Sequence, residues 1–247
     1  MTQARPVAYV PGLYGKQRQS SARLADRYMQ EWERRKSEEQ KKKKQSAPGL
    51  DYPHVCFSRK IGVGALEIAD ILATNTGMPV VDRELIEYIV ESAGLHMSTV
   101  DFFDERHPGH VNHFAALMFG EKSFTMGDYL RRLANAVLRV AQIESTIFVG
   151  RGTHLMLPRD RVLAVRLISS PEHRIQRLAG LLKIGKDEAA RILENEDKLQ
   201  RRFFKTNFSK KDAPPYEFDL VINRDHLPDA SHAAALVEKA FALKFGR

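Results

Sequence analysis

Residues 54–73 read HVCFSRKIGVGALEIADILA, and the change of character along this stretch decides the fold. Val55, Cys56 and Phe57 form a short apolar run, long enough for a buried strand. Ser58 to Gly64 then supplies small residues, the positive charges of Arg59 and Lys60, and two glycines. From Ala65 the pattern turns helical: Leu66, Ala69, Ile71 and Leu72 repeat near a 3.6 period, with Glu67 and Asp70 on other faces. Strand, glycine-containing turn and helix start together make an anion site. The first amides of a helix have no internal partner, and the helix dipole adds partial positive charge there. Gly62 and Gly64 let the backbone curl so that successive N–H groups point inward. The stretch departs from the pattern G-x-x-x-x-G-K-[ST], because Ala65 follows Gly64 and no Ser or Thr comes next. From these residues alone it is either a phosphate-binding loop or an ordinary strand-to-helix turn of an α/β domain.

Outward from this unit, strands and helices alternate. Val80-Val81 is a very short strand closing on Asp82-Arg83, and Glu84 to Ala93 is helical, with Gly94 as its cap. Met97 to Lys122 reads as a less regular helical excursion, and Thr125 to Glu144 as a strong amphipathic helix. Thr146 to Val149 is a buried strand running into Gly150-Arg151-Gly152, and Val162 to Ile168 is another. Pro171 starts a helix at its favoured first position, Lys186 to Phe208 is a long charged helix, Phe218 to Ile222 is the last strand, and Ser231 to Phe245 closes the chain as a helix. About five strands alternating with helices predict an α/β fold with a mainly parallel sheet covered on both faces. Polar and glycine residues fall just after the strands, where open α/β sheets bind ligands.

The 247 residues suffice for one domain with an appendage. No apolar run approaches the roughly 20 residues that span a bilayer, and the polar N-terminus has no signal-peptide core. The single cysteine, Cys56, excludes an internal disulfide and reads as a small core residue. The expected compartment is the cytoplasm, with no membrane partner. Residues 1–50 hold 12 Lys+Arg against 5 Asp+Glu, net +7, and the remainder holds 27 against 26, net +1. The basic character therefore belongs to the N-terminal arm. Within the arm, Leu24, Tyr28 and Trp32 recur every fourth residue from about Ser20 to Lys44, giving one apolar stripe. Its partner is either the body of the same chain or a second copy, which would make a homo-oligomer. Nucleic acid is a less favoured partner, because interleaved acids dilute the field of Lys41 to Lys44. Gln45 to Pro53 is a linker.

Several separated pieces resemble one family. SRKIGVGALEIADILA is similar to the Ser-Arg-x-x-Gly-Ser-Gly-Gly-x-x-Ile-Ala signature of the cytidylate kinase-like proteins, a branch of the P-loop nucleoside monophosphate kinases. MPVVDRELIEYIVESAGL, FVGRGTHLML and YEFDLVIN resemble that family's second strand with its Asp-Arg-Glu-Leu helix start, its Gly-Arg-Gly segment and its last strand. The resemblance implies a three-layer P-loop kinase-like fold on a five-stranded parallel sheet (residues 51–247), behind an N-terminal helical arm (residues 1–50). It implies an acceptor-binding helical flap over 83–123 and a lid over 183–212. It also implies a nucleotide ligand, ATP with Mg²⁺, whose γ-phosphoryl passes to a nucleoside monophosphate such as CMP or to a related small acceptor.

The resemblance places Ser58, Arg59, Lys60, Gly62, Val63, Gly64, Ala65 and Glu67 around the nucleotide phosphates. Asp82, Arg83 and Arg151 fall at the acceptor, and Arg151, Asp197, Arg201 and Arg202 at the transferring group. A base would lie by Asn223 and Arg224. Four departures stand out. The family's Gly-Arg becomes Ala65-Leu66, and no P-loop lysine is present. No carboxylate follows the strand ending at Gly150, which leaves the metal ligand unassigned, and Asp197 is followed by Arg at the fourth position where the family has it at the third. The competing reading is therefore a catalytically inactive nucleotide sensor whose basic arm binds a partner or nucleic acid. Among residue-level alternatives, Arg83 pairs with Glu87 on its own helix or serves the acceptor. Phe203, Phe204 and Phe208 pack beneath the lid or stack on bases, and His107, His110 and His113 are either loop residues or metal ligands.

Overall fold

The computed structural model describes residues 21–41, 51–96, 128–211 and 213–246. Helix α1 is Ser21–Lys41, strand β1 His54–Arg59, helix α2 Ala65–Thr76, strand β2 Val80–Val81 and helix α3 Arg83–His96. Helix α4 is Asp128–Ala141, strand β3 Ile147–Val149, strand β4 Val162–Ile168, helix α5 Pro171–Leu182, helix α6 Lys186–Phe208, strand β5 Leu220–Asn223 and helix α7 Ala230–Phe245. The five strands form one parallel sheet in the order β2-β3-β1-β4-β5. β1 lies at its centre, with Phe57 opposite Val149 on one side and Val165 on the other. Its first five residues are all buried, as a central strand covered on both faces requires.

Alternation along the strands assigns the two faces. Cys56, Phe148, Val162 and Ala164 point into a core completed by α1, α3 and α4. Val55, Phe57, Ile147, Val149, Leu163 and Val165 point into the opposite core, completed by α2 and α7. A smaller third cluster, Ile61 with Leu178, Leu182 and Leu193, binds the turn after β1 to α5 and α6. Cys56 is fully buried in the first core, and burial pushes its thiol up to about 12. That is the character of an apolar packing residue.

Among the described residues the expected elements are present with shifted ends, and Gly94, expected as a cap, lies inside α3, which continues to His96. β1 runs two residues past the apolar triplet. β5 starts at Leu220 and not at Phe218, whose ring packs on that of His154 at 5.0 Å behind a 3₁₀ turn at Pro215–Glu217. Pro171 does begin its helix, with the Ser170 hydroxyl accepting the His173 amide at 3.2 Å as the cap. The helical excursion over Met97 to Lys122, most of the 83–123 flap, and His107, His110 and His113 lie outside the described residues.

The arm finds its partner within the same chain. Ala25 and Tyr28 are buried in the first core, with Leu24 and Trp32 packed against it. Arg139 of α4 lies over the Trp32 ring at 3.9 Å, and Arg27 pairs with Glu144 at 3.1 Å. The stripe that offered a face to a second copy is thus satisfied by α3 and α4, and Arg23, Asp26, Arg27, Glu33 and Arg34 remain exposed around it. α1 is structurally part of the domain. Tyr28→Ala should therefore cost about 3 kcal/mol in urea unfolding, as truncation of a core aromatic does, whereas a loosely tethered arm would show no loss.

His54, at the start of β1, is completely buried, and its Nδ1 accepts the Thr146 amide at 3.3 Å. An accepting Nδ1 requires the neutral ring, and burial pushes the His54 pKa down to about 4. With the folded value below the unfolded one near 6.5, the stabilisation is full above that pH and is lost as pH falls towards 4. Unfolding free energy measured from pH 7 to pH 4 should fall through this window. The His54→Gln variant, with an uncharged acceptor, should show a shallower decline.

Candidate functional site

The turn after β1 sits at the C-terminal edge of the sheet. Lys60 donates its amide to the Leu167 carbonyl at 3.4 Å, and the chain then leaves the sheet. Gly62 and Gly64 take φ of +86° and +77°, the left-handed region that favours glycine. Three alternate carbonyls of the turn are held from outside. Arg59 O accepts Gln200 Nε2 at 2.8 Å, Ile61 O accepts Arg174 Nη1 at 3.2 Å, and Val63 O accepts Arg224 Nε at 3.3 Å. Because a peptide's N–H points opposite its C=O, anchoring Ile61 O and Val63 O turns the Gly62 and Gly64 amides away from those donors, whereas the Lys60 amide is used by Leu167 O. The first α-helical bond of α2 runs from the Ile68 amide to Gly64 O at 3.3 Å, so the amides of Ala65, Leu66 and Glu67 precede it at the positive end of the helix.

The anchors form a buried network. Arg174 of α5 makes a two-pronged ion pair with Asp197 of α6, each bond 3.0 Å, while also holding Ile61 O. Arg224, only 2% exposed, donates to the Leu227, Asp229 and Pro228 carbonyls besides that of Val63. Arg177, one turn beyond Arg174, pairs with Glu67 at 2.7 Å and lies against Gly64, where a Cβ would stand 2.8 Å from its Nη2. Burial and the nearby Arg177 charge lower the Arg224 pKa, as expected when two cations share one end of a sheet.

Beside this turn lies a cavity of about 150 Å³ lined by Arg59, Leu66, Asp82, Arg83, Glu87 and Val149 among others. Arg151, in the loop after β3, is not among the lining residues but reaches one of them, Glu87. Gly150, Arg151 and Gly152 all have positive φ (+91°, +53° and +72°), a rare conformation for arginine and a strained one. The Arg151 guanidinium lies over the Phe203 ring at 4.5 Å and pairs with Glu87. Burial first, and then the charges of Arg83 and Arg59, push its pKa down to about 10. Asp82 accepts the Leu85 amide at 2.9 Å, and Asp70 of α2 is pushed up to about 6 by burial and by the Asp82 charge.

The structure gives several of the expected site residues other neighbours. The Ser58 hydroxyl accepts from the buried Arg166 at 2.7 Å and is engaged in the core, not at the turn. Asp197 is buried against Arg174 and acts on the turn through it. Arg201 and Arg202 are exposed on α6, outside the residues lining the cavity. Arg224 is committed to carbonyls and Asn223 Oδ1 to the Asp225 amide, so neither is a free contact for a base. Arg83 does pair with Glu87, at 3.4 Å, and still lines the cavity. Phe203, Phe204 and Phe208 pack on one another, and the Phe208 ring stands 2.8 Å from where a Gly152 Cβ would be. Arg174, Arg177 and Gln200 escaped the sequence reading. The one signal for the two arginines was their i,i+3 spacing just after a strand end. Ser169, His173 and Asp225 also cluster, but Nδ1 of His173 faces both the Ser169 hydroxyl (2.8 Å) and Asp225 (3.0 Å), and Asp225 accepts the Ser170 amide. That is a cap joining β4 to β5, not a relay to a nucleophile.

Among the described residues, no three His, Cys, Asp or Glu side chains are grouped to hold a metal. No helix described is long and apolar enough to cross a membrane.

The model of the cytidylate kinase-like family matches residues 54–226, and no curated protein matches the chain. An uncharacterized protein from Eubacterium ventriosum has a similar structure, with 18% identity, a TM-score of 0.58, and coverage of 77% of this chain and 98% of that one. Weaker likenesses, both with a TM-score of 0.39, are a shikimate kinase from Bacteroides thetaiotaomicron (13% identity; 79% and 99% covered) and a gluconokinase from Sinorhizobium meliloti (12%; 78% and 97%).

Breaking the Arg174–Asp197 pair leaves a buried charge uncompensated, so Asp197→Ala should lose about 3–5 kcal/mol in denaturant unfolding. The double variant Arg174→Met/Asp197→Leu should recover most of that loss, yet leave Ile61 O unheld and weaken phosphate binding.

Proposed function

We propose that this chain, which belongs to the cytidylate kinase-like family, binds a nucleotide at the 58–67 turn and passes its terminal phosphoryl group to a small anionic acceptor. The acceptor class is a nucleoside monophosphate of the CMP type. The observation that carries the reading is that Arg59 and Arg83 line one cavity beside the glycine turn, with Arg151 paired to Glu87 of its wall and within the field of both other arginines. Phosphoryl transfer needs little covalent help from protein. It needs two phosphates held in line and positive charge around the group in flight.

This chain's residues supply both. The amides from Gly62 to Glu67, with Lys60 on the same turn, bind the donor phosphates, and Glu67 holds Arg177 against Gly64. Arg177 thereby brings to the turn the cation that the missing P-loop lysine would provide. Arg83 and Arg151 hold the acceptor phosphate, and Arg59 lies between the two stations at the cavity wall. An ionised phosphate oxygen on the acceptor attacks the terminal phosphorus, and the bond to the nucleoside diphosphate breaks. The attacking oxygen carries no proton at neutral pH, so no general base is needed. That agrees with Asp82 and Glu87 being committed to a helix amide and to two guanidiniums. Mg²⁺ arriving with the nucleotide would neutralise phosphate charge, and Asp82, one of the carboxylates lining the cavity, would help to hold it.

A second reading, nucleotide binding without transfer, draws on Leu66. This side chain lines the cavity where the family's signature places an arginine, so one guanidinium is missing from the wall. A coupled assay with ATP and CMP, dCMP, UMP or AMP separates the two readings: turnover supports transfer, and binding alone supports the sensor. With turnover in hand, Arg151→Ala should lower kcat/KM by about 10²-fold or more with little change in unfolding midpoint, and an unchanged kcat/KM would remove Arg151 from the site.

A further inference from the structure

Glu87 occupies an unusual position for a helix-surface carboxylate. It stands one turn along α3 from Arg83, and each of its oxygens lies 3.4 Å from Arg83 Nε. The same carboxylate pairs with Nη2 of Arg151, which comes from the loop after β3. One carboxylate thus bridges two guanidiniums from separate elements, and Glu87 and Arg83 themselves line the cavity. This is the contact pattern a bound oxyanion would make.

The two ends of the bridge differ in freedom. The Arg151 side chain is 13% exposed, its backbone is fixed in the left-handed region between two glycines, and its guanidinium rests on the Phe203 ring. Its Nε is buried with no hydrogen-bond partner among the described residues. It has little room to move. The Glu87 side chain is 32% exposed and unbranched, so it can swing to water while both arginines stay in place.

We propose that Glu87 is a tethered internal anion that occupies the acceptor's place, and that an incoming ligand must displace it to bind. The consequence is selectivity by charge. A phosphate monoester carries up to two charges and three oxygens, and it outcompetes one carboxylate for two guanidiniums. A carboxylate ligand offers no more than Glu87 already does, and it gains nothing from the exchange. Glu87 therefore tunes the site towards phosphate esters and against carboxylic acids, while keeping Arg83 and Arg151 from repelling each other when no acceptor is bound. The inference rests on reading this cavity as the acceptor station.

The test uses the full chain, with inorganic phosphate and acetate as probes in isothermal titration calorimetry. Glu87→Gln should bind phosphate roughly tenfold more tightly than the native chain, since the internal competitor is gone, and should begin to bind acetate. In case the glutamine variant folds poorly, Glu87→Asp, whose shorter side chain falls short of Arg151, should shift the phosphate constant in the same direction. In the native chain, the guanidinium NMR signals of Arg83 and Arg151 should move together on adding phosphate. Equal or weaker phosphate binding by the glutamine variant overturns the proposal, and so does the absence of phosphate binding in both chains. A chain that tightens on phosphate but never turns over ATP would keep this inference and lose the transfer reading. Turnover with an unaltered phosphate constant in the glutamine variant would do the reverse.

Discussion

The architecture of the site depends on the direction of three carbonyl groups. Arg59, Ile61 and Val63 each present an oxygen to a donor from a different element: α6, α5 and the segment after β5. Peptide planes are rigid, so anchoring Ile61 O and Val63 O also fixes the direction of the Gly62 and Gly64 N–H groups on the opposite edges. The N–H paired with Arg59 O, that of Lys60, stays bonded to Leu167 O in the sheet. The cradle is therefore built by groups that touch no ligand. Two of the three donors are arginines whose burial is tolerable only because other acceptors complete their shells: the Asp197 carboxylate for Arg174, and a run of loop carbonyls for Arg224.

A protein that lacks the usual lysine of such a loop has distributed its positive charge over guanidiniums. One group, Arg59, Arg83 and Arg151, lies at and beside the cavity, and another, Arg177 with Arg224, at the turn. Burial first, and then the neighbouring like charges, lowers the pKa of Arg151 and of Arg224. Each group also carries one internal carboxylate, Glu87 in the first and Glu67 in the second. Each cluster of guanidiniums thus has a carboxylate of the chain itself among its partners.

Much of this scaffold could be read from local signals. The glycines at 62 and 64, the onset of a 3.6 period at Ala65 and the proline at 171 act within a few residues, and the structure bears them out. The stripe of Leu24, Tyr28 and Trp32 announced a buried face, but not whose surface would bury it, because that depends on where α3 and α4 pack. Arg174 and Arg177 were invisible for the same reason. Their meaning comes from a turn more than a hundred positions earlier in the chain. Asp197 was noticed for its family spacing and assigned to the transferring group. Its partner in the structure lies on the neighbouring helix, since of the seven residues from Glu194 to Gln200 only Asp197 is buried. Phe218 reads as strand by its hydrophobicity, yet it is buried by an aromatic contact with His154 and not by sheet pairing.

Helix α6 touches the two halves of the cleft at once. Gln200 and Asp197 grip the turn, directly and through Arg174, while Phe203, one turn further on, supports the face of Arg151. A single stiff rod bearing on both places ties them together, so a shift of the helix that moved the turn would also move the support beneath Arg151. Under the proposed two-ligand reading, thermodynamic reciprocity would make the influence of each ligand on the other equal in both directions.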